Sequence, residues 1–484
     1  MSTHIDQLVI LAAGKGTRIR KNGQIRPKPL VRVGGLTLLK RAILTAQREG
    51  VRRVVVVVGC DGDQVREATD NDPELDGVEL VWVQNDDYEL SNGVSVLKAK
   101  PYVEGEFFLT MADHIVDRQI YRTLQNTPAE QGLVLAVDRK LETIFDMDDA
   151  TKVVVGPSDA IQEIGKEIHG YDAIDTGVFR CGPALFEALE RQYAVNGDAS
   201  LSDGVRHLSQ HGEARVADVG DAWWQDVDTP ETIGHAHTLL FRSLTKSIDG
   251  PVSRFINRRF SKTVTRLVMN TGITPNHMTT VGLLVGLASA VVTAFVTPST
   301  LWLLALGGVL YQLSSMIDGC DGEIARLKFK HSDWGEWYDT VSDDVINLSY
   351  QLSLGYALFN LTANYAWLQL GLATFIIGWA LCFALYRKLL TSGKGTHLAL
   401  DFGLKDENMS AFSKFVAKCE VIGHRDCYAL ILMVLAFIGP AAVKVGLVLS
   451  FTVVSITTLQ WALTSLRRPA ARRPRDTASV RAIR

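Results

Sequence analysis

Four aspartates in the C-terminal half of the chain have the spacing of a divalent-metal site. Asp318 and Asp321 are three residues apart, and Asp339 and Asp343 are four residues apart. In a helix each pair would share one face, and the two apolar segments that carry the pairs would meet as antiparallel neighbours. Four carboxylates converging at a membrane edge would repel one another strongly without cations. Two divalent metals about 3.5–4 Å apart would suit them, whereas the simpler alternative is a solvated acidic loop.

Small and basic residues follow the first of these pairs. Gly322 and Ala325 leave room for a ligand against the helix, and Arg326 can pair with a phosphate. The segment therefore combines candidate metal ligands with space for a ligand and a positive charge for a phosphate.

A glycine-rich turn follows the first predicted strand. The string reads Leu-Ala-Ala-Gly-Lys-Gly-Thr-Arg over residues 11–18. Glycines after a strand let backbone N–H groups approach phosphates closely, and Lys15 and Arg18 add positive charge. The spacing matches neither the P-loop nor the dinucleotide-binding motif, and a lone glycine pair is more often only a turn.

Acids also stand where a parallel sheet would bind a ligand. Asp113 follows the strand candidate 106–111, and ligand sites of such sheets lie beyond the carboxyl ends of strands. A carboxylate facing phosphates there is a natural Mg²⁺ ligand. Residues 224–231 hold two more acids, Asp226 and Asp228. The alternative for Asp113 or Asp228 alone is a helix N-cap.

The elements that must position these residues are of two kinds. Over residues 1–240, short apolar runs alternate with helical stretches, which predicts βαβ units and a mostly parallel, Rossmann-like α/β sheet. The strand candidates are 7–11, 53–58, 78–83, 106–111 and 132–137, and the helix candidates include 36–47 and 63–69.

Six apolar stretches follow, at about 277–297, 300–317, 340–361, 365–386, 427–443 and 445–465. They predict an all-α domain of six transmembrane helices, since a spanning helix needs about 20 apolar residues.

Composition and charge support this division. The chain has 484 residues, 47% of them hydrophobic, and a net charge of −3. These values exclude a disordered chain and give no case for a nucleic-acid partner. We expect a cytosolic domain over 1–240, a basic linker helix over 241–272, a membrane domain over 273–466 and a basic tail over 467–484.

The distribution of basic residues predicts the orientation. Residues 242–266 carry seven Lys/Arg and one acid, which favours a juxtamembrane helix on anionic membrane lipid over a plain linker. Residues 387–426 hold seven Lys/Arg, and the last 19 residues hold seven Arg. By the positive-inside rule this face is cytoplasmic, so both termini of a multi-pass protein of the cell membrane would lie in the cytoplasm.

The glycine-rich string, followed by Arg-Pro-Lys-Pro-Leu at 26–30, resembles the signature of nucleotidyltransferases that make NDP-sugars and CDP-alcohols. The resemblance implies that Lys28 is catalytic, that Asp113 and Asp228 bind metal, and that Lys166 faces the phosphate of the alcohol. It assigns residues 92–95 to the element that closes over the base. The implied nucleotide-binding residues are Leu11, Ala12, Ala13, Gly14, Lys15, Gly16, Arg18, Lys28, Asn92, Gly93 and Ser95.

The aspartate-rich segment resembles the CDP-alcohol phosphotransferase family, whose whole motif is present over 318–343. The resemblance implies Mg²⁺ or Mn²⁺ at both sites, with CMP as leaving group. Asp343 would be the general base at the rim of the metal set, Gly322, Ala325 and Arg326 would contact the nucleotide, and Arg425 would hold a phosphorylated acceptor. Asp344 departs from the basic residue expected after the last motif acid, which leaves the acceptor open.

The fusion of both halves resembles the bifunctional enzymes that join an inositol-1-phosphate cytidylyltransferase to a CDP-inositol:inositol-1-phosphate transferase. The implied substrates are CTP, inositol 1-phosphate and CDP-inositol, and a homodimer is compatible with the pattern. One alternative keeps both reactions but uses a lipid acceptor. Another treats the first domain as a sensor and the second as an anchor, which the complete metal and phosphate sets disfavour.

Overall fold

The computed structural model describes residues 4–18, 26–129, 132–245, 250, 252–392 and 425–467. The chain divides into two compact units, Met1–Leu244 and Thr245–Arg484. Most of the basic segment 387–426 and nearly all of the basic tail lie outside the described residues. The orientation deduced from their charge therefore stays a prediction.

A mixed nine-stranded sheet forms the centre of the N-terminal unit, with two small two-stranded sheets beside it. The described strands are β1 (Gln7–Ala12), β2 (Arg32–Val33), β3 (Leu36–Thr37), β4 (Arg53–Val58), β5 (Glu79–Gln84), β6 (Phe107–Met111), β7 (His114–Val116), β8 (Leu133–Asp138), β9 (Lys152–Val155), β10 (Ile161–Gly165), β11 (Ala173–Cys181), β12 (Ala214–Asp218) and β13 (Trp224–Asp226). Strands β6, β1, β4 and β5 are neighbours in that order and run parallel. The predicted α/β class and the predicted parallel strands are confirmed.

Seven described helices accompany this sheet. They are α1 (Leu38–Gln47), α2 (Gly62–Asp70), α3 (Asn92–Ala99), α4 (Arg118–Asn126), α5 (Ala184–Asn196), α6 (Leu201–Gln210) and α7 (Pro230–Ser243). Leu11 of β1 pairs with Met111 of β6. The carboxyl ends of these strands therefore bring the glycine-rich turn and Asp113 to one edge of the sheet.

Strand β11 is the main feature that the sequence pattern did not reveal. It pairs antiparallel with β6, β8 and β9, and so joins the parallel strands to the rest of the sheet. Asp175, Thr176 and Gly177 interrupt its apolar run, which removes the signal of a buried strand.

The C-terminal unit is all-α, as predicted. Its described helices are α8 (Arg258–Val268), α9 (Pro275–Ala294), α10 (Trp302–Leu327), α11 (Asp333–Thr362), α12 (Tyr365–Ser392), α13 (Arg425–Ile438) and α14 (Pro440–Arg467). Among the described residues, four stretches are long and apolar enough to cross a membrane: α9, α10, Tyr365–Leu390 and Pro440–Leu459. Helix α11 carries Asp339 and Asp343, the last two acids of the motif, and α13 has 14 residues, so the count of six spans stays a prediction.

Helix α9 packs against both α10 and α11. The rings of Tyr311 on α10 and Tyr350 on α11 stack with centroids 4.1 Å apart. This packing brings the two acid-bearing helices together.

Candidate active sites

The glycine-rich turn and the Pro-Lys-Pro segment approach each other closely in the N-terminal unit. Gly16 has a φ of +58°, and a Cβ atom there would lie 2.9 Å from the Cβ of Lys28. Glycine therefore meets both the backbone conformation and the close approach. Lys15 points elsewhere, and its exposed ammonium pairs with Glu89 at 2.5 Å.

Lys28 lies between the two acids predicted as metal ligands. It begins a short 3₁₀ turn between two prolines, and its Nζ donates to Asp113 at 2.6 Å and also to Asp228. Burial would lower the pKa of Lys28, but the two carboxylates outweigh it and raise that pKa. Burial likewise opposes ionisation of Asp113, whose pKa is nevertheless held well below its usual range by Lys28 and His114.

Neither acid is a helix N-cap. Asp113 precedes a strand, and the N-cap of α7 is Thr229, whose Oγ1 accepts from the Thr232 amide. The N-cap alternative for Asp113 and Asp228 is therefore wrong.

Asp149 links the remaining predicted phosphate-binding cations, and the sequence reasoning missed it. Arg18 donates to Asp149 at 2.5 and 3.1 Å and to Asp228 at 2.9 Å. Lys166 donates to the same carboxylate of Asp149 at 2.6 Å. The hydrogen bond from Arg18, followed by that from Lys166, lowers the pKa of Asp149 to about 2. The only signal in the sequence is the acidic stretch at 146–149.

Three carboxylates at this edge could hold a cation. One oxygen each from Asp149, Asp226 and Asp228 all lie within 4.8 Å of one another, while Asp113 turns to Lys28 and His114. This donor set of oxygens fits the preference of Mg²⁺. Asp226 belongs to the set more directly than the sequence suggested.

A cavity of about 580 Å³ opens beside these residues and is lined by Leu11, Ala13, Gly14, Asn92, Ser95 and Lys166, among others. Asn92 and Gly93 also fasten α3 to the start of α6. The Oδ1 of Asn92 accepts from the Leu201 amide at 2.8 Å, and a Cβ at Gly93 would lie 2.4 Å from the Ala199 carbonyl oxygen. Ser95 accepts from Asn85 at 2.9 Å. A base-closing role for residues 92–95 stays a prediction.

Asp175 also lines the cavity. Its Oδ1 accepts from the Gly177 amide at 2.7 Å, and burial raises the pKa of its carboxyl to about 6. Asp175 was not among the residues singled out from the sequence.

In the C-terminal unit, three of the four motif acids meet. One oxygen each from Asp318, Asp339 and Asp343 all lie within 4.8 Å of one another. Asp321 accepts from Thr279 of α9 at 2.7 Å. In the described part of the chain, Oδ1 of Asp339 is buried without a hydrogen-bond partner. A buried, unpaired carboxylate oxygen in an acid cluster fits a divalent cation.

Arg425 contacts the same cluster from the start of α13. Its Nη1 donates to Asp318 at 3.0 Å and also to Asp343, and its Nη2 donates to Ser314 at 3.2 Å. A carboxylate contact for a predicted phosphate-binding residue was not expected.

The residues predicted beside the nucleotide lie on α10 with the first two acids. Ala325 is buried, and a Cβ at Gly322 would lie 3.2 Å from Nη1 of Arg326. Asp344, the departure from the family pattern, accepts from the Tyr386 hydroxyl of α12 at 2.6 Å.

Two family models match this chain. Residues 8–215 match the MobA-like NTP transferase domain, and residues 272–457 match the CDP-alcohol phosphatidyltransferase model. The bifunctional IPC transferase and DIPP synthase of Thermococcus kodakarensis is 37% identical over 73% of this chain and 77% of its own length. Its namesake from Archaeoglobus fulgidus is 32% identical over 94% of this chain and 79% of its own length.

A solved structure of the inositol-1-phosphate CTP transferase from T. maritima is also similar. It covers 49% of this chain and 97% of its own, at 28% identity and a TM-score of 0.45.

Proposed function

We propose, since this chain belongs to the family of the bifunctional IPC transferase and DIPP synthases, that its two units catalyse successive transferase reactions. In the first, a phosphate oxygen of inositol 1-phosphate attacks the α-phosphorus of CTP, which gives CDP-inositol and releases pyrophosphate. In the second, a hydroxyl of another inositol 1-phosphate attacks the inositol-bound phosphorus of CDP-inositol. CMP leaves, the hydroxyl proton goes to Asp343, and the phosphodiester keeps one terminal phosphate.

The observation that carries the proposal is that each unit holds its own acid cluster in contact with a basic side chain suited to phosphate. Mg²⁺ or Mn²⁺ would neutralise phosphate charge in both steps. Asp113 and Asp228 would hold it in one unit, with Asp149 and Asp226 beside Asp228. Asp318, Asp321 and Asp339 would hold it in the other unit, with Asp343 at the rim of the set.

Lys28 is the group that meets the growing charge of the first step. Without substrate its Nζ is bound between Asp113 and Asp228. A triphosphate held by the turn at residues 11–16 would offer it new oxygens, on which negative charge increases during transfer.

Lys166 and Asp175 suit the two ends of inositol phosphate. Gly165 and Ile174, which precede them, both pair with Lys152 of the intervening strand β9. Two strand spacings, about 10 Å, therefore separate their backbones. Lys166 can bind the phosphate, while the carboxylate of Asp175 accepts hydrogen bonds from ring hydroxyls.

In the second step Asp343 must leave its contact with Arg425 and accept a proton from the attacking hydroxyl instead. Arg425 donates to Oδ1 of this carboxylate, and its guanidinium neutralises the negative charge with which a base attracts a proton. An acceptor phosphate would draw Arg425 away and leave Asp343 free to take the hydroxyl proton. Binding of the acceptor and activation of the base are then one event.

The C-terminal unit associates with a membrane, in keeping with its four long apolar helices. We further propose six spans, domain limits at 240, 272 and 466, both termini in the cytoplasm, contact with membrane lipid, and a homodimer. Labelling of single cysteines from either side of sealed vesicles tests the topology, and the mass of the solubilised enzyme tests the dimer.

The activity test uses purified full-length enzyme in detergent with Mg²⁺ and CTP labelled on the α-phosphate. Inositol 1-phosphate, glycerol 3-phosphate and choline phosphate are offered separately, with and without a lipid alcohol. We expect labelled CDP-inositol and then labelled CMP with inositol 1-phosphate alone. Release of CMP only with the lipid would establish the lipid-acceptor alternative, and no CDP-alcohol from any substrate would contradict the proposal.

A further inference from the structure

We propose that Glu323 is a positioning residue for the membrane reaction, because it fastens the acid-bearing helix α10 to helix α8. The inference rests on the proposed phosphotransfer at Asp318–Asp343. It assigns a role to a buried carboxylate that neither binds the metal set nor faces the substrate.

Glu323 is fully buried, with 0% of its side chain exposed. Its Oε1 accepts from Nη1 of Arg258 at 3.1 Å and from Oγ of Ser261 at 2.6 Å, and its Oε2 accepts from Oγ1 of Thr265 at 2.7 Å. The three donors are three and four residues apart on α8, so they share one face of that helix. A carboxylate is tolerated at such burial only when it is paired and hydrogen-bonded in this way.

The contact lies on the back of the catalytic helix. Glu323 is two residues beyond Asp321, which is a rotation of about 200° around a helix. Arg258 also donates to the Gly319 carbonyl oxygen at 3.4 Å, and a Cβ at Gly319 would lie 3.2 Å from Oγ of Ser261. Helix α8 therefore supports α10 directly behind Asp318 and Asp321.

The C-terminal end of α10, which carries Asp318 and Asp321, needs this support from α8. Asp318 and Asp321 lie in the last three turns of α10, and the ends of helices fray unless they are held. Lys328 adds a second anchor at this end by donating to the carbonyl oxygens of Thr271 and Ile273 at 2.8 and 2.9 Å. Metal ligands must be held to within about 0.5 Å, so a loosened α10 weakens the site before it unfolds.

The experiment compares three full-length variants. Glu323→Gln removes the charge, Thr265→Val removes one donor at nearly constant shape, and Thr263→Val changes an exposed threonine of the same helix as the control. Both half-reactions are measured on each protein, with CDP-inositol supplied for the second. The Mg²⁺ concentration for half-maximal phosphodiester formation is the main readout.

We expect Glu323→Gln to raise that Mg²⁺ concentration by about 10-fold, in the range known for residues that orient metal ligands. Thr265→Val should give a smaller rise, Thr263→Val none, and all three should make CDP-inositol at the wild-type rate. The contrary result is that Glu323→Gln and Thr265→Val reduce only the yield of folded enzyme. If the folded fraction of each variant keeps the wild-type Mg²⁺ dependence, Glu323 is purely structural and the inference is wrong.

A second readout separates this inference from the proposed function. Mn²⁺ binding is followed by electron paramagnetic resonance in an Asp228→Asn background, which weakens the other site. Weaker Mn²⁺ binding by Glu323→Gln would support the positioning role even if the acceptor were misassigned. Unchanged Mn²⁺ binding would overturn it even in a fully active bifunctional enzyme.

Discussion

The two acid clusters neutralise their charge in different ways. In the N-terminal unit three cations, Lys28, Arg18 and Lys166, contact Asp113, Asp149 and Asp228 beside a cavity. In the C-terminal unit Arg425 contacts Asp318 and Asp343, while Asp339 keeps a buried oxygen without a hydrogen-bond partner in the described residues. The negative charge of the first site is therefore largely neutralised by basic side chains of the protein. Neutralisation of the second site depends more on bound metal.

The largest effect should come from Asp343. We expect Asp343→Asn to slow phosphodiester formation by about 10²–10⁴-fold, the usual contribution of a general base. Binding of CDP-inositol with Mg²⁺ should persist, whereas Asp321→Asn should lose it. Calorimetry on both variants, beside the rate of CMP release, makes the comparison. If Asp343→Asn loses binding as Asp321→Asn does, Asp343 is a metal ligand first, and Asp344 becomes the next candidate base.

The second effect concerns Lys28. Lys28→Ala should lower the turnover of CDP-inositol synthesis by about 10²–10³-fold, with a much smaller change in the KM for CTP, because the charge it meets grows in the transition state. Lys40→Ala is the matched control, since Lys40 is equally buried between Asp72 and Glu74 away from the site. A change confined to the KM for CTP would show that Lys28 only positions substrate.

A smaller effect is expected at Asp149, which holds Arg18 and Lys166 together. Asp149→Asn removes the charge that orients both cations, and we expect the KM for inositol 1-phosphate to rise by about 2–5-fold, the value of a partly exposed ion pair. Asp159→Asn is the control, because it removes the exposed ion pair of Asp159 with Arg139. An unchanged KM would mean that Asp149 serves the cation site alone.

The smallest effect is a change in stability at Asp175. Its folded pKa of about 6 lies above the value near 4 of an unfolded aspartate, so the folded state holds the proton more tightly. Ionisation therefore costs stability increasingly as the pH rises from about 4 to 6, and the cost stays constant above that. Asp175→Asn should raise the Tm at pH 7.5 but not at pH 4, while the affinity for inositol 1-phosphate falls. An equal shift at both pH values, or a shift also in Asp86→Asn at the exposed surface, would contradict this.

The sequence predicted features that depend on residues close together in the chain, and it missed contacts between residues far apart in the chain. Asp318 and Asp321 share a helical face because of their local spacing, and the valine run at 54–58 marks a buried strand by its composition alone. The contact of Arg18 with Asp149 spans 131 residues and depends on the path of the chain between β8 and β9. No local periodicity encodes such a path, which is why Asp149 was missed.

Glu323 was missed for a different reason. It stands within the recognised motif, but its partners lie on α8, which the sequence indicated only as a basic helix. A pattern of types and spacings identifies what a residue can do, and its burial and partners decide which of those roles it has.

The central claim is that one chain holds two independent active sites linked by a free CDP-alcohol, and mixing two inactive variants tests it most directly. Asp113→Ala and Asp343→Asn are purified, supplied with CTP, inositol 1-phosphate and Mg²⁺, and measured singly and together. We predict no product from Asp113→Ala unless CDP-inositol is added, accumulation of CDP-inositol by Asp343→Asn, and phosphodiester from the mixture. Equal loss of both half-reactions in Asp113→Ala, with no product from the mixture, would contradict the claim.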